Sequence, residues 1–128
     1  MCLTTKQKWP KIAWKPITVY KVIYGYPNNY RTLYQRMPID IGETYRESVY
    51  NILKNRKYLL KIEEKGYYEF NEGLHSVKDM IPALTIADYY KVLYPVQIVE
   101  CTIPRFSLYW IGIDNDIVSN KLKYVKIL

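Results

Sequence analysis

The chain has very few of the residues from which metal sites and disulfides are built. Its 128 residues include one histidine, His75, and two cysteines, Cys2 and Cys101. A zinc site needs about four such ligands at set spacings, so we expect no metal. Cys101 alternates with Val99 and Ile103 in a pattern typical of a core face, whereas Cys2 lies near the start. We therefore expect no disulfide between them.

Long apolar runs and the common catalytic loops are also missing. The sequence has no stretch of about 18 apolar residues, so we expect no membrane-spanning helix and no membrane partner. Residues 1 to 8 lack the apolar core of a secretory signal, which favours a cytoplasmic location. There is neither a phosphate-binding glycine loop nor a G-x-S-x-G elbow, and we expect no cofactor.

Acidic residues are scarce relative to basic ones, and phenylalanine is scarce relative to tyrosine. Nineteen lysines and arginines against 12 acidic residues give a net charge of +7, and 15 tyrosines stand against two phenylalanines. The charge favours an acidic protein or a small anionic ligand as partner. Tyrosine joins an apolar ring to a hydroxyl group, which suits ligand clefts and interfaces as well as an ordinary core.

Residues 1 to 16 are predicted to form a basic extended arm, ahead of a single domain over residues 17 to 128. The arm has four lysines and no acidic residue, and Trp9 and Trp14 stand close to prolines. Basic residues interleaved with aromatic rings can hold phosphates and stack on bases, so single-stranded nucleic acid is one candidate partner. The alternative is a solvated tail whose two rings pack back on the domain.

The remaining pattern predicts an α+β fold with a mainly antiparallel sheet. Ile17–Tyr24 and Val96–Ile103 are rich in β-branched and aromatic residues and are predicted strands. A helix is predicted over about residues 79 to 94, where Asp79 can cap it and Pro95 ends it. A C-terminal hairpin is predicted from Leu108–Ile113 and Ile117–Ile127.

Two further segments are less regular. The apolar spacing from Tyr45 to Leu53 predicts a helix, with Thr44 as N-cap and Glu47 completing a capping box, although Gly42 also permits a strand. Tyr30–Ile41 has no clear period and is interpreted as a long surface segment able to close over a site.

His75 is the strongest candidate for chemistry, because an imidazole exchanges protons near neutral pH. It follows the extended run Gly66–Phe70 and precedes the predicted helix, and it shares parity with Glu69 and Gly73. Catalytic, ligand-binding and purely structural roles all fit a lone histidine at this place. Ser76 beside it can equally stabilise a turn.

Two charged residues lie in the middle of predicted strands. Lys21 and Glu100 can pair if their strands are neighbours. An enzyme would use His75 as acid or base, Glu100 as its electrostatic partner and Lys21 as an anion clamp. The candidate ligand-binding residues are Tyr20, Lys21, Arg31, Tyr34, His75 and Ser76.

Short motifs across most of the chain resemble a group of small uncharacterised proteins from gut bacteria and their phages. These motifs are Met1-Cys2-Leu3-Thr4, Val19-Tyr20-Lys21, Gly73-Leu74-His75-Ser76, Val99-Glu100-Cys101-Thr102-Ile103-Pro104 and Ile117-Val118-Ser119-Asn120-Lys121. The resemblance implies a phage or mobile-element accessory protein and supplies no activity.

Lys21, His75-Ser76 and Glu100 also fall in places that are faintly similar to those of ADP-ribosyltransferase-type folds. That resemblance implies a nucleotide-dependent transferase or a degenerate relative that binds a nucleotide-like ligand. The sequence departs from the family pattern: it has lysine where arginine is usual, no Ser-Thr-Ser run and no Glu-x-Glu pair. The favoured interpretation is a non-enzymatic binding module for an acidic partner or a small anion.

Overall fold

The computed structural model describes residues 3–33, 35–61 and 64–128, and in them the α+β fold with a mainly antiparallel sheet is confirmed. The elements, in chain order, are β1 (Leu3–Thr5), β2 (Lys11–Ile12), β3 (Ile17–Tyr26), β4 (Asn29–Thr32), β5 (Pro38–Ile39), β6 (Thr44–Arg46), α1 (Val49–Lys54), β7 (Lys57–Lys61), β8 (Glu64–Phe70), β9 (Leu74–Val77), α2 (Met80–Tyr90), β10 (Val96–Ile103), β11 (Leu108–Ile111), β12 (Asp116–Ser119) and β13 (Lys121–Ile127).

The strands form two sheets. The larger runs in the order β2-β11-β12-β9-β3-β10-β13-β6, with β4 on β3 and β5 on β4. The smaller has the order β1-β8-β7, so part of the N-terminal segment is a sheet strand. The longest pairing joins β3 to β10 from Tyr24 opposite Val96 to Ile17 opposite Ile103. Both of these strands were predicted from their β-branched composition.

One face of the large sheet surrounds the main core. Val19, Ile23, Val99 and Cys101 meet Tyr124 there, and all five are nearly or fully buried. Buried residues of β9 and β12 belong to the same cluster, so this core extends across the centre of the large sheet. Cys101 is a free thiol whose pKa is raised to about 12 by burial, and Cys2 lies outside the described residues.

Two groups of elements pack against the other face of the large sheet. One is α2, and the other is the small sheet together with α1. Ala83 of α2 is buried against Val22 and Val77, whereas the neighbouring Leu84 is exposed. Under the small sheet, the rings of Phe70 and Trp110 lie 4.9 Å apart.

The helix predicted over residues 79 to 94 is shorter, because α2 ends at Tyr90. Residues 91 to 94 form turns, in which the amides of Leu93 and Tyr94 both donate to the carbonyl of Tyr90. Pro95 disfavours helical backbone at Tyr94, so the helix does not continue to the end of the predicted range. Within the described ranges neither helix is long and apolar enough to cross a membrane.

The helix predicted from Tyr45 starts later and has another cap. Thr44 lies in β6, and Ser48 is the N-cap of α1, accepting from the amide of Asn51 at 3.4 Å. Glu47 completes no capping box, because its carboxylate accepts from Asn51 Nδ2 at 2.7 Å and from the amide of Gly73 at 2.8 Å. Burial raises the pKa of Glu47.

Three other predictions change in detail. The segment Tyr30–Ile41 contains the β4–β5 hairpin, in which Tyr30 lies opposite Ile39. The C-terminal hairpin is β11 with β12; its predicted second strand breaks after Ser119, and β13 pairs with β10 and β6 instead.

Gly73 has a φ of +96° and separates β8 from β9, which lie in different sheets. Glu69 and His75 therefore belong to different sheets, and their even spacing in the sequence does not place their side chains on one face.

Gly73 and Gly42 offer a matched test of how tightly the β8–β9 turn is packed. Both have positive φ, at +96° and +97°, but a Cβ at Gly73 would lie 2.4 Å from Val118 whereas one at Gly42 would meet nothing within 4 Å. We expect Gly42→Ala to lower the free energy of unfolding by about 1 kcal/mol through backbone strain alone. Gly73→Ala should lose a further 1 to 3 kcal/mol or so through overpacking.

Urea denaturation of both variants measures the difference. Equal losses would show that Val118 moves aside freely and that the turn is not constrained by packing.

Candidate ligand-binding site

The site begins at a gap in the pairing of β3. On the edge away from β10, β3 meets β9 only at Tyr20 opposite Val77, and it meets β4 from Ile23 onward. Among the described strands, none pairs with this edge at Lys21 and Val22. An interrupted ladder leaves backbone groups to be satisfied in another way, and it opens space between the two strands.

A pocket of about 160 Å³ lies at this gap. Apolar side chains line it from three directions: Val22 and Val77 from the sheet, Leu33 from the turn after β4, and Ile86 from α2. The polar lining residues are Tyr20, Lys21, Thr32, Gln35, Asn71, His75 and Ser76.

The side chain of Lys21 bridges the gap. Its Nζ donates to the backbone carbonyl of His75 at 2.7 Å, so the ammonium satisfies a β9 group that the broken ladder does not. Burial lowers the pKa of Lys21 to about 8. Among the described residues no carboxylate lies within 4 Å of this ammonium. Lys21 is therefore a mostly protonated, desolvated cation at neutral pH without an ionic partner in the described chain.

Backbone groups of the β8–β9 turn hold the ring of His75. Its Nε2 lies 3.3 Å from the carbonyl oxygen of Asn71, which can only accept, so Nε2 carries the proton of the neutral ring and Nδ1 keeps its lone pair. Burial, followed by the nearby charge of Lys21, lowers the pKa of His75 to about 4. The imidazole is thus neutral at pH 7.

Unsatisfied polar atoms concentrate at this pocket. In the described part of the chain, three buried side-chain atoms have no hydrogen-bond partner: His75 Nδ1, Ser76 Oγ and Ser107 Oγ. The first two belong to residues that line the pocket. Unpaired buried polar groups are rare in folded proteins and call for a specific explanation, of which function is one.

The structure brings four of the six candidate ligand-binding residues together, since Tyr20, Lys21, His75 and Ser76 all line the pocket. Arg31 is not among the described lining residues, and its Nη1 donates to the carbonyl of Arg36 at 3.0 Å. Tyr34 lies outside the described residues.

Glu100 lies apart from Lys21 although their strands are neighbours. Lys21 is opposite Val99, and Glu100 is opposite Tyr20. Adjacent residues of a strand point to opposite faces, so the two side chains lie on different faces of the sheet. No Lys21–Glu100 ion pair forms within the described ranges, and Glu100 is not among the described lining residues.

Sequence reasoning missed the remaining polar lining residues. Thr32 is buried, and its Oγ1 accepts from the amide of Met37 at 3.0 Å, which shapes the wall after β4. Asn71 holds the ring of His75 from the β8–β9 turn. Thr32 and Asn71 reach the same pocket as Lys21 because the β ladder is interrupted there. The spacing of hydrophobic residues in the sequence does not show this interruption.

The site is better suited to binding than to acid–base chemistry. A histidine with a pKa of about 4 is a weak base and supplies almost no protonated acid at neutral pH. In the described residues there is no group of three or more histidine, cysteine, aspartate or glutamate side chains able to hold a metal ion. The available chemistry is a partly buried cation beside an apolar wall.

No protein-family model matches the chain, and no match was found among curated proteins or solved structures. The function argued below therefore rests on the geometry of the pocket.

The titration of His75 tests the electrostatics of the site directly, because the chain has no other histidine. In an NMR titration we expect its ring signals to shift with a midpoint near pH 4. Lys21→Met removes a neighbouring positive charge, so the midpoint should move upward toward the ordinary value. Lys123→Met, at an exposed position, should leave it unchanged. A midpoint near 6.5 in the unmodified protein would mean that the ring is solvated.

The same group makes folding stability depend on pH. The unfolded chain binds a proton at His75 near pH 6.5, whereas the folded chain does so near pH 4. The unfolded state therefore binds more protons in this window, and stability is lost as the pH falls through it. Between pH 7 and pH 5 the loss from His75 is about 2 kcal/mol. Urea denaturation at both values should show a smaller loss for His75→Gln than for the unmodified chain, and equal losses would contradict the assignment.

Proposed function

We propose that this protein is a binding module for a small organic anion held in the pocket between β3 and β9. The ligand carries a carboxylate or phosphate group, which the ammonium of Lys21 receives, and a compact apolar part that contacts Val22, Leu33 and Ile86. Ser76 and His75 border the same space.

The observation that carries the proposal is the unpaired cation. Burying an ammonium group without an opposite charge is unfavourable, and burial is the main reason for the lowered pKa of Lys21. One of its three N–H donors reaches His75, which leaves two for a ligand. An anion would supply the missing charge in a desolvated setting, where electrostatic attraction is stronger than in water.

The size of the pocket limits the ligand. A cavity of about 150 Å³ in a protein core holds one benzene molecule. The present pocket, at about 160 Å³, thus matches a ring-sized acid or a short-chain acid. The net charge of +7 adds a long-range attraction for any anion.

Two observations favour binding over nucleotide transfer. Glu100 lies on the opposite face from Lys21, so the three residues of the enzyme hypothesis do not share one site. The pocket is also small for an intact dinucleotide. An acidic protein partner remains compatible with the charge, and it would reach this pocket with a single carboxylate side chain.

Isothermal titration calorimetry with matched acids and amides tests the proposal. Benzoate and butyrate should bind, and benzamide and butyramide, which have the same shape without the charge, should bind at least 10-fold more weakly. Lys21→Met should remove the preference for the acids, while Lys123→Met keeps it. Methyl phosphate serves as the phosphate probe. If no probe binds, or if Lys21→Met binds the acids as well as the unmodified protein does, the proposal is wrong.

The pH dependence of binding provides a separate test. The free protein loses the proton of Lys21 near pH 8, whereas a bound anion holds it to higher pH. Affinity for benzoate should therefore be constant from pH 6 to 7.5 and fall by about tenfold for each pH unit above 8. Affinity that does not change up to pH 9.5 would exclude Lys21 as the cation that receives the ligand.

A further inference from the structure

A second surface, away from the pocket, combines exposed aromatic rings with cations. We call it the aromatic strip and define it by Trp9, Trp14, Arg56, Tyr68, Arg105 and Phe106. None of these six residues is among the described residues that line the pocket. The strip therefore has to be explained independently of the proposed anion site.

One end of the strip is a stack built on Arg56. The guanidinium carbon lies 5.2 Å from the centroid of the Trp9 ring and 5.3 Å from that of Tyr68. Arg56 Nη1 also donates to the carbonyl of Lys8 at 2.8 Å, and the ammonium of Lys8 lies 5.5 Å from the Trp9 ring. These contacts fix the orientation of the indole, which is still 60% exposed.

The other end repeats the pattern. The rings of Trp14 and Phe106 meet edge to face with their centroids 6.2 Å apart, and Arg105 lies 4.5 Å from the Phe106 ring. Trp14 is 67% exposed and Phe106 is 56% exposed. Each end thus presents a largely exposed indole beside a positive charge.

The backbone between the two ends is fixed to the domain. In β2, Lys11 and Ile12 pair with Tyr109 and Leu108 of β11. The amide of Ala13 donates to the carbonyl of Ser107 at 2.9 Å. Trp14 follows Trp9 by five positions along the chain, so their Cα atoms lie at most about 18 Å apart. The strip is a preformed platform that is a few nucleotides long.

We infer that the aromatic strip binds single-stranded nucleic acid, with bases stacked on Trp9 and Trp14 and phosphates held by the cations around them. Residues 1 to 16 contain four lysines and no acidic residue, so the strip attracts a polyanion. Stacking of a base on an aromatic side chain contributes about 1 to 3 kcal/mol and tolerates any sequence. A duplex hides the faces of its bases, and the strip therefore selects the single strand.

The test is fluorescence anisotropy with a fluorescein-labelled oligothymidylate of 12 nucleotides. Two probes are compared with it: a 12-mer of abasic sites, which has a similar charge, and the same sequence in a duplex, which has about twice the charge. We expect the thymidylate to bind most tightly, and its affinity to fall steeply with salt. Trp9→Ala and Trp14→Ala should each weaken thymidylate binding by about 5- to 100-fold while leaving the abasic probe nearly unaffected.

Two further variants complete the design. Tyr89→Ala removes an exposed ring on α2, where Tyr89 is 74% exposed, and should change nothing. Arg56→Lys keeps the charge but removes the planar group between two rings, so it should weaken thymidylate binding even if Trp9→Ala proves poorly folded by circular dichroism. The inference is overturned if thymidylate does not bind at 50 mM salt, if it binds no better than the abasic probe, or if Tyr89→Ala has the same effect as Trp9→Ala.

Discussion

The contact between the ammonium of Lys21 and the carbonyl of His75 holds together the place where β3 and β9 part. A continuous ladder at this position would have satisfied that carbonyl with a backbone amide and left no room for a pocket. Because a long side chain bridges the gap instead, β3 and β9 stay joined at the centre of the sheet although Lys21 and Val22 have no described strand partner on that edge. At this place the side chain of Lys21, and not a paired strand, satisfies the carbonyl of His75. The pocket and the lowered pKa values of His75 and Lys21 all follow from this arrangement.

The site therefore differs from one assembled on loops. Lys21 belongs to the most extensively paired strand, and its backbone is fixed by β10 on the other edge. His75 and Ser76 are fixed in the same way by β12, where they lie opposite Val118 and Ile117. Groups positioned by a sheet keep their geometry without a bound ligand, which reduces the entropy lost on binding.

The sequence predicted the elements whose residues have strong intrinsic preferences. Val96–Ile103 and Ile17–Tyr24 are clear strands, and the helix ending before Pro95 is correct except for its last turn. The helix cap was assigned to Thr44 rather than Ser48, because a capping-box spacing also occurs within a strand-forming stretch.

The candidate site was predictable only as a set of residue types. Lys21 and His75 are unusual residues within apolar runs, and this marks them without showing that they meet. Their meeting depends on the order β9-β3-β10, which joins strands about 50 residues apart and is invisible to local patterns. The face on which Glu100 lies follows from the register between β3 and β10, and that register is also a property of the folded sheet.

The short strand β2 has a consequence for how this molecule behaves beside copies of itself. It ends the large sheet, and an open sheet edge invites another chain to continue the ladder. Here the edge is only two residues long, it presents the charged side chain of Lys11, and Pro10 before it has no amide hydrogen to donate. A neighbouring chain would find too few backbone groups for stable pairing, so this end of the sheet is protected against aggregation.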